Sequence, residues 1–202
     1  MKRGLLLIIS GPAGSGKGTV ISELMKNSDD FRYSVSATTR APRPGEVDGE
    51  SYFFVSRERF EEKIARGEML EYAEYVGNLY GTPRDAVETA LDAGKHVILE
   101  IETQGALQVM RKCRDAVSVM ILPPDGKTLR ARLEGRGTES SEVIERRMET
   151  ARREVMKLGR YDYLVINEDN SPEKAAEEIR KIIDAELMKT SRNLAFKETY
   201  FD

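Results

Sequence analysis

Apolar and polar positions along the chain follow two different periods. Five short apolar or β-branched runs read as buried strands: Leu5–Ile9, Tyr33–Ser36, His96–Ile101, Val117–Leu122 and Tyr163–Asn167. Between most of them the apolar spacing turns helical, over Gly16–Lys26, Pro83–Ala93, Gln104–Lys112 and Pro172–Lys189. Strands that alternate with helices predict a parallel, doubly wound α/β sheet. The last helix has clear signals: Ser171 can cap it, Pro172 suits its first turn, and Ala175, Ile179, Ile182 and Ile183 form its apolar stripe.

Two segments break the alternation. Residues 37–82 are dense in turn formers (Pro42, Pro44, Gly45, Gly49, Gly67, Gly77) and aromatics. They hold candidate short strands at Tyr52–Val55, Met69–Tyr75 and Leu79–Gly81 and a helix around Arg57–Arg66. Residues 125–157 are helical, highly charged and interrupted by Gly135-Arg136-Gly137. Both read as excursions from the sheet, placed where the carboxyl ends of parallel strands face a ligand. The stretch from Thr190 to Asp202 has no clear period and is expected to be loosely held.

Composition narrows the class. At 202 residues the chain has room for a sizeable core, and a net charge of −3 gives no global pull toward nucleic acid. Cys113 is the only cysteine, which rules out an internal disulfide and fits a reducing, cytoplasmic compartment. No apolar run has membrane-spanning length, and the run after Lys2 and Arg3 is too short for a signal peptide.

Chemistry enters immediately after the first apolar run. Gly11-Pro12-Ala13-Gly14-Ser15-Gly16-Lys17-Gly18-Thr19 lies between a predicted strand and a predicted helix, the setting of a phosphate-binding P-loop. Its glycines let backbone N–H groups converge on phosphate oxygens, and the following helix turns its positive end to the same anion. Lys17 adds a full charge at the β- and γ-phosphates, and the loop backbone is expected to make no use of that side chain. Gly18 stands where Ser or Thr usually meets Mg²⁺, so the ion would be held through water or by Thr19.

Further clusters suit a second anionic substrate. Arg40 and Arg43, three residues apart in a proline-held loop, can fork onto one phosphate. Tyr52 and Tyr80 offer hydroxyls suited to the same group, and Glu71 offers a carboxylate on a short strand. Glycine-flanked Arg136 can swing onto transferring phosphates. Glu100 and Glu102 end an apolar strand beside the P-loop, where one can organise magnesium and the other face the acceptor. Arg130 and Arg146 read as a solvated helix face, and His96 as structural.

Taken together, Gly11–Thr19, Ser34–Glu46, Glu71–Thr82, Ile98–Gly105, Arg132–Thr138 and Val165–Asn167 resemble, in order, the segments of guanylate kinases, from Gly4 to about Leu187. The resemblance implies a three-layer P-loop kinase fold around a central five-stranded parallel sheet, with an inserted GMP-binding region of mixed β structure and a helical lid. It places the core at 1–36, 83–124 and 158–190, the GMP-binding region at 37–82 and the lid at 125–157. It implies transfer from ATP to GMP with Mg²⁺, and no obligate protein partner. By similarity, Arg40, Arg43, Tyr52 and Tyr80 hold the GMP phosphate. Ser36, Glu71, Gly81, Thr82 and Glu102 line the rest of that site, with Glu71 on guanine. Arg132, Arg136 and Arg147 resemble the lid and catalytic arginines, beside Lys17 and Arg40, while Asn167 lies at the ATP-base loop. Metal contacts fall to Thr19 and Glu100. Many relatives carry Asp at the position of Glu102. A kinase for another acceptor, or a binding module that kept the fold without the chemistry, are the competing readings. The first would not need the Glu71 and Ser36 pair, and the second would not need Lys17, Arg136 and Arg147.

Overall fold

The computed structural model describes residues 2–135 and 140–200. The chain opens with β1 (Leu6–Ser10) and α1 (Lys17–Met25), followed by β2 (Phe31–Tyr33), β3 (Ala37–Thr38) and β4 (Phe53–Phe54). Next come α2 (Arg57–Ala65), the hairpin strands β5 (Met69–Tyr75) and β6 (Asn78–Pro83), and α3 (Arg84–Asp92). Then β7 (His96–Glu100), α4 (Thr103–Lys112), β8 (Val117–Leu122), α5 (Gly126–Glu134) and α6 (Ser141–Val155) follow. The chain finishes with β9 (Tyr163–Ile166), α7 (Pro172–Met188) and the short α8 (Phe196–Thr199).

β1 lies at the centre of a five-stranded sheet of order β2-β7-β1-β8-β9, in which every neighbouring pair is parallel. Successive side chains of β1 point to opposite faces, and the core divides accordingly. Leu5, Leu7 and Ile9 pack with Val20, Ile21 and Leu24 of α1 and with Ala175, Ala176, Ile179 and Ile183 of α7. Leu6 and Ile8 face the other way, with Val87 and Leu91 of α3 and Ala106 and Val109 of α4. A fully buried aliphatic side chain contributes about 1.5–3 kcal/mol, so the two faces together hold the three layers.

The second strand is displaced from its expected place at Tyr33–Ser36. Only Phe31 of β2 is buried, and its pairing with His96 sets the register at this sheet edge. Residues 34–36 instead lead into a second sheet, of order β4-β3-β6-β5, which contains parallel and antiparallel pairs. Ala37, Phe60, Met69 and Leu79 form its small core under α2. The strand β3 was not legible in the sequence, since its two residues are a strand only through their neighbours β4 and β6. At α7, Pro172 takes the first turn as expected, but the Ser171 hydroxyl donates back to the Asp169 carbonyl and makes no cap bond. Of the stretch after α7, residues 192 and 193 are more firmly held than its composition implies, while residues 194–200 are exposed. Arg192 bonds Glu186 and the Asp115 carbonyl, and the Asn193 amide bonds the carbonyls of Leu187 and Lys189.

Between residues 125 and 157, α5 and α6 pack through Leu129, Leu133, Ile144, Met148 and Ala151. The Arg130 guanidinium forks onto Glu145 across the pair, and Arg146 faces Glu142 at i,i+4, both at the surface as expected. His96 is structural: its Nδ1 accepts the Leu5 N–H at 3.0 Å, and burial lowers its pKa.

Candidate functional site

The P-loop leaves the carboxyl end of β1, and Gly16 caps α1 with φ 84°, in the left-handed region. Glycine is required there twice over, because a Cβ would also lie 2.3 Å from the Asn167 side-chain nitrogen. Gly11 is similarly confined, with a Cβ falling 2.2 Å from the Ile121 carbonyl at the end of β8. The loop is therefore moulded against the sheet rather than suspended from it.

Lys17 corrects one expectation. Its Nζ donates to the carbonyls of Gly11 at 2.6 Å and Pro12 at 3.2 Å, so the backbone of the loop does use this side chain. The ammonium thus sits over the loop and bridges its first turn. From outside, the Ser15 carbonyl accepts the Asn167 side-chain N–H at 2.8 Å and an Arg132 N–H at 3.3 Å. Arg132 also donates to the Asn167 carbonyl and to Asp169, which sequence reading overlooked among the acids of a turn. Arg132 and Asn167 are braces of the phosphate loop here, tying α5 and the β9 exit to it. The Ser15 hydroxyl, in the loop, is buried without a hydrogen-bond partner among the described residues.

Ala13, Gly18 and Thr19 are exposed, and nothing lies within 4 Å of a Cβ built on Gly18. Glu100 ends β7 and accepts the Tyr33 hydroxyl at 2.9 Å through Oε2. Burial and this carboxylate together push the Tyr33 phenol well up. The strand stops at Glu100, and Glu102 is exposed at the N-cap of α4, so the regular alternation that would set both on one face ends before Glu102. Among the described residues, no three His, Cys, Asp or Glu side chains converge as a metal cage. Arg147 is half-buried on α6, and Arg136 lies outside the described residues.

α6 reaches the loop through a residue that the sequence did not single out. Glu154 accepts the Thr103 hydroxyl at 3.3 Å, and its pKa is raised by burial against the opposing pull of Lys17. In a helix this rich in charge, Glu154 reads as solvated.

The second sheet carries the other cluster. Arg40 forks onto Glu46 at 2.9 and 2.8 Å, and Glu46 also accepts the Arg43 backbone N–H at 2.7 Å. The fork holds the Glu46 carboxyl below its ordinary pKa. The guanidinium lies 5.4 Å from the Tyr52 ring centre, and that ring is 6.1 Å from Tyr80. Arg40, Tyr52 and Tyr80 therefore converge, with Glu46 now in the bidentate seat that a phosphate would fit. Arg43 is exposed beside them.

Glu71 is 6% exposed and stands opposite Thr82 in the β5–β6 pairing. Its Oε1 accepts the Thr82 hydroxyl at 2.8 Å. A Cβ on Gly105 would lie 2.9 Å from Glu71 Oε2, so the small residue in α4 makes room for the carboxylate. Burial raises the Glu71 pKa, against the bond from Thr82 and the Lys112 charge. Ser36 lies one step beyond the Ala37–Gly81 pair, on the side of Thr82. Among the described residues Glu71 takes one side-chain hydrogen bond, and a carboxylate has the capacity to accept several.

A family model described as guanylate kinase matches residues 3–186. A guanylate kinase of Lactococcus lactis is 54% identical over 191 residues, covering 95% of this chain and 92% of the relative. One of Streptococcus thermophilus is 56% identical over 192 residues, covering 95% and 91%. The crystal structure of guanylate kinase from Anaplasma phagocytophilum superposes with a TM-score of 0.71 at 34% identity, over 100% of this chain and 98% of that one. On sequence, fold and family model alike, the chain belongs to the guanylate kinase family.

Proposed function

We propose that the protein transfers the γ-phosphoryl group of ATP to GMP, giving ADP and GDP, with the P-loop holding ATP and the second sheet holding GMP. The observation that carries the acceptor is Glu71: a buried carboxylate, fixed by Thr82, on the sheet that also gathers Arg40, Tyr52 and Tyr80. Guanine presents N1–H and an N2 amine side by side, which one carboxylate can accept together. Adenine presents a lone pair at N1 and no amine at C2, and would leave the buried charge unpaired. Since the Thr82 hydroxyl is committed to Glu71, Ser36 is the better donor to the guanine O6.

At the phosphate end, Arg40 exchanges Glu46 for the GMP phosphate, joined by Arg43 and the hydroxyls of Tyr52 and Tyr80. Gly81 lets β5 approach β6 closely at Glu71, since a Cβ there would lie 2.5 Å from the Glu71 carbonyl oxygen, and Glu102 closes the acceptor side. Little covalent work falls to the protein in phosphoryl transfer; positioning and charge neutralisation carry the rate. Lys17 faces the β- and γ-oxygens, and Arg136 and Arg147 supply further charge from 125–157. This segment acts as a lid, residues 37–82 as the GMP-binding region, and the parallel sheet with its helices as the core.

The residues suit a magnesium ion that enters with ATP. Such an ion keeps most of its waters and needs only one or two protein contacts, which agrees with the absence of a three-acid cage among the described residues and with the open space over Gly18. Glu100, through the oxygen that Tyr33 leaves free, and Thr19 would hold it, directly or through water. When bound, the ion neutralises charge on the β- and γ-oxygens.

The reading is tested by following ADP release with a panel of nucleoside monophosphates. GMP should exceed AMP in kcat/KM by about 10⁴-fold, the scale on which an unpaired buried polar group is rejected. Equal use of AMP and GMP would sink the assignment.

A further inference from the structure

At the opposite end of β1 from the P-loop, a cavity of about 710 Å³ opens between the first residues of the chain, the end of α4 and the stretch after α7. Its size suits a ligand the size of a nucleotide. The chain as a whole carries −3, yet the charged residues lining this cavity are mostly cations, seven against the carboxylates of Glu88 and Asp115.

Part of that charge is compensated. Arg3 pairs with Glu88 and Asp92, and Lys189 and Arg192 both pair with Glu186. The remaining four lining cations, Lys2, Arg84, Lys112 and Arg114, have no carboxylate partner among the described residues. Lys2 donates to the Asn193 side-chain oxygen at 2.7 Å, Lys112 to the Met69 carbonyl at 3.1 Å, and Arg84 to the Gly67 carbonyl at 3.4 Å. These neutral acceptors position the cations without cancelling them. Arg114 makes no hydrogen bond or ion pair among the described residues, and Asp115 is the one lining carboxylate outside an ion pair there. Four cations outside ion pairs, of which Lys112 alone is partly offset by the buried Glu71 carboxylate, stand against one unpaired carboxylate around a concave wall and form a trap for a multiply charged anion.

We propose that this cavity is a second anion site, separate from the P-loop, that takes a phosphorylated small molecule of nucleotide size. None of its cations belongs to the proposed catalytic or substrate-binding sets; the test below rests on the kinase reading only for blocking the P-loop side, and binding of the blocking analogue is confirmed first.

The test uses the full-length protein with the P-loop side first saturated by adenosine and guanosine joined through five phosphates. Tripolyphosphate, ribose 5-phosphate and ATP are then titrated by calorimetry at low salt. Tripolyphosphate should bind one saturable site with a Kd below about 1 mM. Arg114→Glu, at an exposed position, should weaken it at least about tenfold while kcat stays unchanged, as expected for one charge-assisted contact. Should that variant melt early, Arg114→Gln removes the charge alone and carries the same comparison. Tighter binding of ATP than of tripolyphosphate assigns the remaining volume to a nucleoside, and equal binding assigns recognition to phosphate; either upholds the site. No saturable binding to the saturated enzyme, or binding that survives both Arg114→Glu and Lys2→Glu, overturns it.

Discussion

Replacing Lys17 by alanine removes one charge aimed at the transferring group and two hydrogen bonds inside the loop. The first loss should lower kcat by on the order of a hundredfold or more. The second should cost about 1–3 kcal/mol of stability, at a net 0.5–1.5 kcal/mol per bond. Steady-state kinetics and urea unfolding read the two losses separately, and near-normal kcat in the folded variant would remove Lys17 from the mechanism. Glu71→Gln replaces one acceptor by a donor that clashes with a guanine donor. Its kcat/KM for GMP should fall at least about a hundredfold, while AMP loses far less. Equal losses for both would make Glu71 structural. The same variant exposes the cost of burying Glu71. Because the folded pKa is raised, the native state binds the proton more tightly than the unfolded chain. Wild-type stability relative to Glu71→Gln should therefore fall as pH rises above the ordinary glutamate range, and level off above the folded pKa. Urea midpoints of both proteins across pH check this. Wild-type stability that rises relative to Glu71→Gln as pH rises contradicts the burial.

Among the elements, the P-loop depends on three neighbours: the β8 end, α5 and the exit of β9. Gly16→Ala tests that dependence. The substitution forces a side chain into φ 84° and against the Asn167 amide. A non-glycine in this conformation costs about 1–3 kcal/mol, and displacement of Asn167 also frees the Ser15 carbonyl. Thermal melting should register the loss, together with a raised KM for ATP and a smaller change in that for GMP. An unchanged melting curve would mean the loop is looser than these contacts imply. The element pattern explains which parts could be read in advance. β1 and α7 bury long regular stripes, so periodicity finds them. β3 is two residues held by pairing, and β2 moves two residues upstream because Phe31, not the Tyr33–Ser36 run, reaches the core.

On the scale of the molecule, the residues proposed for the two nucleotides are carried by separate parts of the fold. Arg147 stands on α6, Glu71 on β5, Arg40 just after β3 and Lys17 at the start of α1. Attack must occur away from water while products must still leave, so both outer parts should close over the core when both substrates are present. Small-angle scattering should show a smaller radius of gyration with the bisubstrate analogue bound. An unchanged radius, with binding confirmed by calorimetry, would count against closure.

What the sequence determined by itself is local. Gly11–Thr19 is contiguous, so its glycines, its lysine and the flanking strand and helix could be read together. The alternation of Leu5, Leu7 and Ile9 against Leu6 and Ile8 likewise encodes two buried faces without knowledge of their partners. Only the tertiary structure decided how distant groups meet. Asn167 grips the Ser15 carbonyl across 152 positions, and Glu154 reaches Thr103 across 51. Neither distance has a period, and the side chains involved are ordinary polar residues of turns and helix faces. The far cavity is assembled in the same way, from the two ends of the chain and the close of α4. Hydrophobic periodicity specifies that a face is buried; the register of packed elements specifies which charges then face one another, and that register exists only in the folded chain.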